Sequence, residues 1–246
     1  MIKFYLITVF FYTVFSAYSL PEDSTLISRH RPGIFWYFNG LKPAKSSKIR
    51  KYDRLIFDVA HNSWKGDQAA FSNRWNSIGL TTNLLFDIPL DANNQFSIGT
   101  GISHSWFNVA FDPNFKFYTY SNQTFLGNAP STEHFNEQHL SGHSLSIPLE
   151  IRFRTKGWKH FKVHIGGKIG YQLTIYATSV RNEENGQYIE KNYNFGDINR
   201  LIYSVHTRIG IRNWGLFANY QLNPLFAHSS SVKLNVFQLG LSLSLF

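Results

Sequence analysis

The sequence predicts an all-β protein, an eight-stranded antiparallel up-and-down barrel of the outer-membrane type behind a cleaved export signal. Three observations predict it: a short apolar N-terminal stretch, long segments of strict apolar/polar alternation, and connections that alternate between short and long.

Composition sets the limits first. Of 246 residues, 24 are Lys or Arg and 15 Asp or Glu, a net charge of +9. Apolar residues make up 43%, charged residues only 16% and aromatics 17%, which excludes a disordered chain. Cysteine is absent, so disulfides, Cys-ligated zinc, iron–sulfur clusters and thiol nucleophiles are excluded. Low charge and high aromatic content suit strands that alternate between lipid and a polar interior.

Residues 1–19 read as a signal peptide, with Lys3 as the positive start, an apolar run from Phe4 to Phe15, and small Ala17 and Ser19 before cleavage. The run is too short for a spanning helix, which needs ~20 apolar residues. Residues 20–53 form a segment placed on the periplasmic side, and the barrel is expected over 54–246.

The strands follow in order. Residues 54–64 put Leu55, Phe57 and Val59 on one face, opposite Arg54 and Asp58. Residues 75–88 set Ile78, Leu80, Leu84, Phe86 and Ile88 against Ser77, Gly79, Asn83 and Asp87. Residues 96–106 set Phe96, Ile98, Ile102 and Trp106 against glycines and serines. Residues 143–154 set Leu145, Ile147, Leu149, Ile151 and Phe153 against Glu150, Arg152 and Arg154. Residues 161–177 set Phe161, Val163, Ile165, Ile169, Tyr171, Leu173 and Ile175 against Lys162, His164, Gly166, Lys168 and Gln172. Segments 201–211 and 214–222 continue the pattern, and the last strand offers Phe237, Leu239, Leu241, Leu243 and Leu245. A polar face of Gly, Ser and Thr with isolated charges fits a narrow interior better than a solvated surface.

Short turns at 91–94, 155–157 and 212–213 alternate with long connections at 65–74, 108–140, 178–200 and 223–231. Outer-membrane barrels have short periplasmic turns and long outer loops, so both ends are expected in the periplasm. Trp64, Trp75, Trp106, Phe107, Trp158, Phe161, Trp214 and Tyr220 fall near strand ends and read as interfacial girdles.

Chemistry-bearing patterns are weak. The run Gly166-Gly167-Lys168-Ile169-Gly170 lies inside a strand and opens no helix, so it reads as room in the interior rather than a phosphate loop. Asn122-Gln123-Thr124 matches a short glycosylation pattern, of the kind common by chance. The ten histidines include no convincing metal spacing; His104 and His206 read as hydrogen-bonded strand residues. His139 and Ser141 share a strand face, as an outward-facing nucleophilic pair would, but the nearest downstream carboxylate, Glu150, points inward. No catalytic residue, cofactor or metal is expected.

Arg54, Asp58, Asp87, Glu150, Arg152, Arg154, Lys162 and Arg208 all fall in the periplasmic half of the interior. They read either as a salt-bridged plug, the favoured expectation, or as a basic mouth for an acidic partner. Before the barrel, Ile34 and the aromatic cluster Phe35, Trp36, Tyr37 and Phe38 precede Lys42, Lys45, Lys48, Arg50 and Lys51. Those aromatics are candidate docking residues for a secretion component, and lipid and lipopolysaccharide are the other expected partners. No nucleic-acid partner is expected.

Arg54-Leu55-Ile56-Phe57-Asp58-Val59, Ile147-Pro148-Leu149-Glu150-Ile151-Arg152-Phe153-Arg154-Thr155 and Leu222-Asn223-Pro224-Leu225-Phe226 resemble the PorT family of small outer-membrane barrels. The resemblance spans most of 54–246. It implies an eight-stranded barrel without catalytic residues, and a role in type IX protein secretion. A lipid A-modifying enzyme and an adhesive or structural surface barrel are the alternatives.

Overall fold

In the computed structural model, residues 53–66, 74–91, 95–155, 161–183 and 186–245 are described. They form strands β1 (Leu55–Gly66), β2 (Ile78–Pro89), β3 (Phe96–Phe111), β4 (Phe115–Tyr120), β5 (Gln123–Asn128), β6 (Glu137–Arg154), β7 (Phe161–Glu183), β8 (Gly186–Asn192), β9 (Leu201–Ile211), β10 (Trp214–Gln221) and β11 (Leu234–Ser244). The main sheet runs β6-β3-β2-β1-β11-β10-β9-β7, and β6 pairs with β7 to close it. Eight antiparallel strands thus form a barrel with no free edge, as the alternation predicts. Strands β4 and β5 make a separate hairpin, and β8 prolongs the sheet beside β7.

The barrel is apolar outside and polar inside. Ile147, Leu149 and Ile151 on β6 are 64%, 62% and 67% exposed, and Ile165 and Ile169 on β7 continue the band. Their neighbours Ser146, Glu150, Arg152 and Lys168 are buried. Soluble proteins rarely expose an apolar patch above a few hundred Å². A continuous apolar belt around a closed barrel is the surface of a membrane-crossing barrel, whose backbone polar groups are all paired strand to strand.

The long connections hold more structure than expected. Strands β3, β6 and β7 reach 16, 18 and 23 residues, so they continue into the segments read as loops at 108–140 and 178–200. Within the first lies the β4–β5 hairpin, whose tip residues Ser121 and Asn122 both take left-handed φ, 48° and 58°. A two-residue turn needs that geometry to match the strand twist. Conversely, β2 starts at Ile78, and Trp75 sits in the turn before it.

Two irregularities re-aim side chains. A register shift opposite His143/Ser144 leaves Thr174 paired with His143 and Gln172 with Ser144. Leu173 is the extra residue of this bulge, so the alternation slips by one and Ile175, expected outside, is buried inside. On β6, Pro148 has no N–H to donate, and the β3–β6 ladder is interrupted between the Thr100–Leu149 and Ser103–Ser146 pairs. Thr100 bridges the gap by donating its hydroxyl to the Pro148 carbonyl at 2.9 Å.

The aromatic girdle needs correction at two places. Trp64 and Phe107 are each only 6% exposed and meet edge to face inside the barrel, with ring centroids 6.1 Å apart. Both stand on the inward parity of their strands. Trp75, Phe161 and Trp214 do lie exposed near strand ends.

Candidate functional site

The interior has three layers. At the end carrying the short turns and both barrel termini, charges pair. Asp58 on β1 accepts two bonds from Arg208 on β9, at 3.0 and 2.7 Å, and a third from Asn83 at 2.9 Å. Glu150 on β6 takes Arg208 Nη1 at 2.6 Å, His206 Nε2 at 3.0 Å and Arg152 Nε at 3.0 Å. Asp87 on β2 accepts from Ser97 at 2.7 Å, from Arg152 at 3.3 Å and from Arg154 at 3.4 Å. Asp53 receives Lys162 Nζ at 2.7 Å, while His164 Nε2 stands 3.4 Å away and Arg154 4.0 Å. These are buried, charge-assisted contacts, the kind that fix geometry strongly.

The sequence makes room for this layer. A Cβ on Gly99 would stand 2.3 Å from Arg152 Nε, so glycine lets that guanidinium lie flat against β3. Phe217 offers its face to Arg208, 5.2 Å from the ring centroid. Ser244 accepts from Lys162 at 2.7 Å, tying the last strand to β7.

Of the residues expected here, Asp58, Asp87, Glu150, Arg152, Arg154, Lys162 and Arg208 meet in this layer, and Arg54 is half-buried beside it. Among the described residues at this end, Arg154 and Lys162 face carboxylates, the contacts that a salt-bridged plug would make. Asp53, placed with the preceding segment in the sequence reading, is buried and joins this network through Lys162. His164, His206 and Asn83 are further members that a search for fixed charges passes over. Alternation alone places all three inward.

Above the charges lies a cavity of about 40 Å³. Serines 105, 144, 146 and 204, the amide of Gln172 and the Lys168 ammonium line it. At the long-loop end an apolar layer follows. Trp64, Phe107, Val109 and Phe111 from the strands pack with Phe117 of β4 and with Phe195, Leu225 and Phe226 of the connections. Phe117 meets Phe111 edge on at 5.3 Å, and Phe195 and Phe226 at 6.1 and 6.3 Å. Each fully buried ring contributes roughly 1.5–3 kcal/mol of hydrophobic stabilisation, so the hairpin is held firmly over the mouth. Asp197, bonded by Thr124 and Ser231, fastens the same connections together.

The pair His139 and Ser141 has separate partners. His139 Nε2 meets Glu137 at 3.0 Å, a carboxylate two residues upstream that the sequence reading did not consider. Ser141 donates to Asn108 Oδ1 at 2.8 Å. Among the described residues no three side chains converge as metal ligands, and the interior carboxylates are occupied by guanidinium, ammonium and imidazole groups. The signal peptide and the aromatic cluster Phe35, Trp36, Tyr37 and Phe38 lie outside the described residues.

No protein-family model and no curated protein matches the chain. Among solved structures it is similar to Ail, the attachment invasion locus protein of Yersinia pestis. In complex with the heparin analogue sucrose octasulfate, that protein overlaps with a TM-score of 0.34 at 13% identity, covering 77% of this chain and 95% of Ail. A second Ail structure gives a TM-score of 0.31 at 12% identity with the same coverage. An overlap this loose bears on no individual residue.

Proposed function

We propose that the chain is an outer-membrane barrel that assists protein export or envelope assembly without catalysing a reaction, in the manner of the PorT component of type IX secretion. One observation carries the reading: among the described residues, paired charges fill one end of the interior and packed rings the other, with a cavity of about 40 Å³ between. Cargo passing through the barrel would have to remove both layers. The work of the protein then lies on its surfaces, where it meets lipid, lipopolysaccharide and other secretion components. The residues that carry the PorT resemblance agree with this. Asp58, Glu150, Arg152 and Arg154 build the charged layer, and Leu225 and Phe226 the cap.

The short-turn end is assigned to the periplasm, with both termini. Residues 34–51 then supply an aromatic anchor beside lysines that steer it toward an acidic partner, an attraction weakened by salt. The test is deletion of the gene and complementation with the full chain or with a chain lacking 34–51. The full chain should restore surface delivery of exported proteins, and the shortened one should insert as a barrel yet fail. Normal export without the gene would end the secretion reading.

A lipid A-modifying enzyme is the second reading, and the Glu137–His139 pair favours it by supplying a carboxylate to orient the imidazole. The same strains decide: His139→Ala and Ser141→Ala should leave the mass of lipid A unchanged, and a change would put the enzyme first.

A further inference from the structure

Among the described residues the buried interior charges do not balance. The buried residues of the barrel interior include four carboxylates, Asp53, Asp58, Asp87 and Glu150, and five cations, Arg152, Arg154, Lys162, Lys168 and Arg208. The remaining buried carboxylate, Asp197, belongs to the loop layer, where Thr124 and Ser231 bond it. Four of the cations contact a carboxylate. Lys168 does not. It is 6% exposed, and its ammonium lies over the face of Phe217, 5.6 Å from the ring centroid, with Asp58 and Glu150 attracting it only from beyond contact distance. A buried charge with no carboxylate in contact is costly and calls for a closer counter-charge.

The space beside Lys168 suits one. The cavity of about 40 Å³ has room for about three water-sized particles. No carboxylate lines it. Three of its four hydroxyls have a proton to donate: Ser105 accepts from Thr81 at 3.0 Å and keeps its own, and the Ser144 and Ser204 hydroxyls have no hydrogen-bond partner among the described residues, whereas Ser146 donates to the Ser103 carbonyl at 3.4 Å. Asn219 Oδ1, buried without a partner, is left for a water sharing the space.

We propose that this cavity is a binding site for a small monovalent inorganic anion, a halide held by the Lys168 ammonium and the hydroxyls of Ser105, Ser144 and Ser204. The ion completes the neutrality of the interior layer. It is structural, standing between the charged plug and the apolar cap.

Crystals of the full chain grown in bromide should show an anomalous peak in the cavity beside Lys168, absent from Lys168→Met. In solution, replacing gluconate by bromide at constant ionic strength should raise the folding equilibrium constant of the wild type. The rise should be about tenfold when bromide reaches ten times its dissociation constant. Lys168→Met removes a buried cation that no carboxylate contacts, so it should fold at least as well in gluconate and show no bromide response. Water alone in the cavity, with no anomalous signal, would overturn the proposal. So would a bromide response of equal size in Lys168→Met, which would place the ion elsewhere.

Discussion

Arg208 on β9 holds both carboxylate oxygens of Asp58 on β1, Nε to Oδ1 at 3.0 Å and Nη2 to Oδ2 at 2.7 Å, across 150 residues of chain. Two strands, β10 and β11, separate β1 from β9 in the barrel wall, so the pair is a strut through the interior. Its third guanidinium contact, to Glu150 on β6, makes a three-way tie between distant strands.

Arg208→Met should therefore leave two buried carboxylates short of a cation. The expected loss is on the order of 3–5 kcal/mol, read as a lower urea midpoint in lipid vesicles and a lower temperature of the gel-mobility shift. Adding Asp58→Leu to Arg208→Met should recover part of the loss, since contacting residues do not contribute additively. Strict additivity would mean that the strut carries no coupling.

Gly99 and Gly167 give a matched pair. Gly99→Ala would drive a methyl to 2.3 Å from Arg152 Nε, and Arg152 is fixed by Glu150 and Asp87. Gly167→Ala would meet only the Ser204 carbonyl at 3.6 Å, an ordinary contact. Overpacking of the first kind costs roughly 1–3 kcal/mol, whereas the second should stay within about 0.5 kcal/mol. Equal effects on the urea midpoint would show that Arg152 is free to move.

Asp53 gives a pH signature. Burial pushes its carboxyl up, but Lys162, a hydrogen bond with His164 and the charges of His164 and Arg154 outweigh that and hold it well below the usual carboxylate range. A depressed value means stability that is fully present above the unfolded pKa of about 3.9 and is lost as pH falls through the folded value. The difference in stability between wild type and Asp53→Asn should thus be constant near neutrality and shrink below about pH 4. A difference that grew with acid would contradict the pairing with Lys162.

Much of this was legible in alternation. Parity alone turns Asp58, Asp87, Glu150, Arg152 and Arg208 inward, and the same rule turns Trp64 and Phe107 inward. Their position near strand ends suggested a girdle instead, because the strands were taken to stop where β3 in fact continues to Phe111. The cap was illegible for a different reason. Phe117, Phe195, Leu225 and Phe226 come from connections without a shared period, and only tertiary packing brings them together. Ile175 was misread because a bulge leaves no mark in an alternating sequence. Lys168 stands on the inner face, and its want of a carboxylate in contact is visible only once the other buried cations, Arg152, Arg154, Lys162 and Arg208, have found theirs.

Orientation can be checked on cells. An epitope inserted at Ser121, the tip of the β4–β5 hairpin, should be labelled on intact bacteria, and one inserted after Asp91 only after permeabilisation. Surface labelling after Asp91 would invert the barrel and move the short-turn end out of the periplasm.

The filled interior is tested most directly by conductance. Purified full-length protein reconstituted into planar bilayers should give no current steps above the bare membrane, because the Asp58–Arg208–Glu150 layer and the Phe117 cap each close the path. Stable, reproducible open steps from the wild-type chain would show a continuous aqueous path, and with it that the barrel itself is the route.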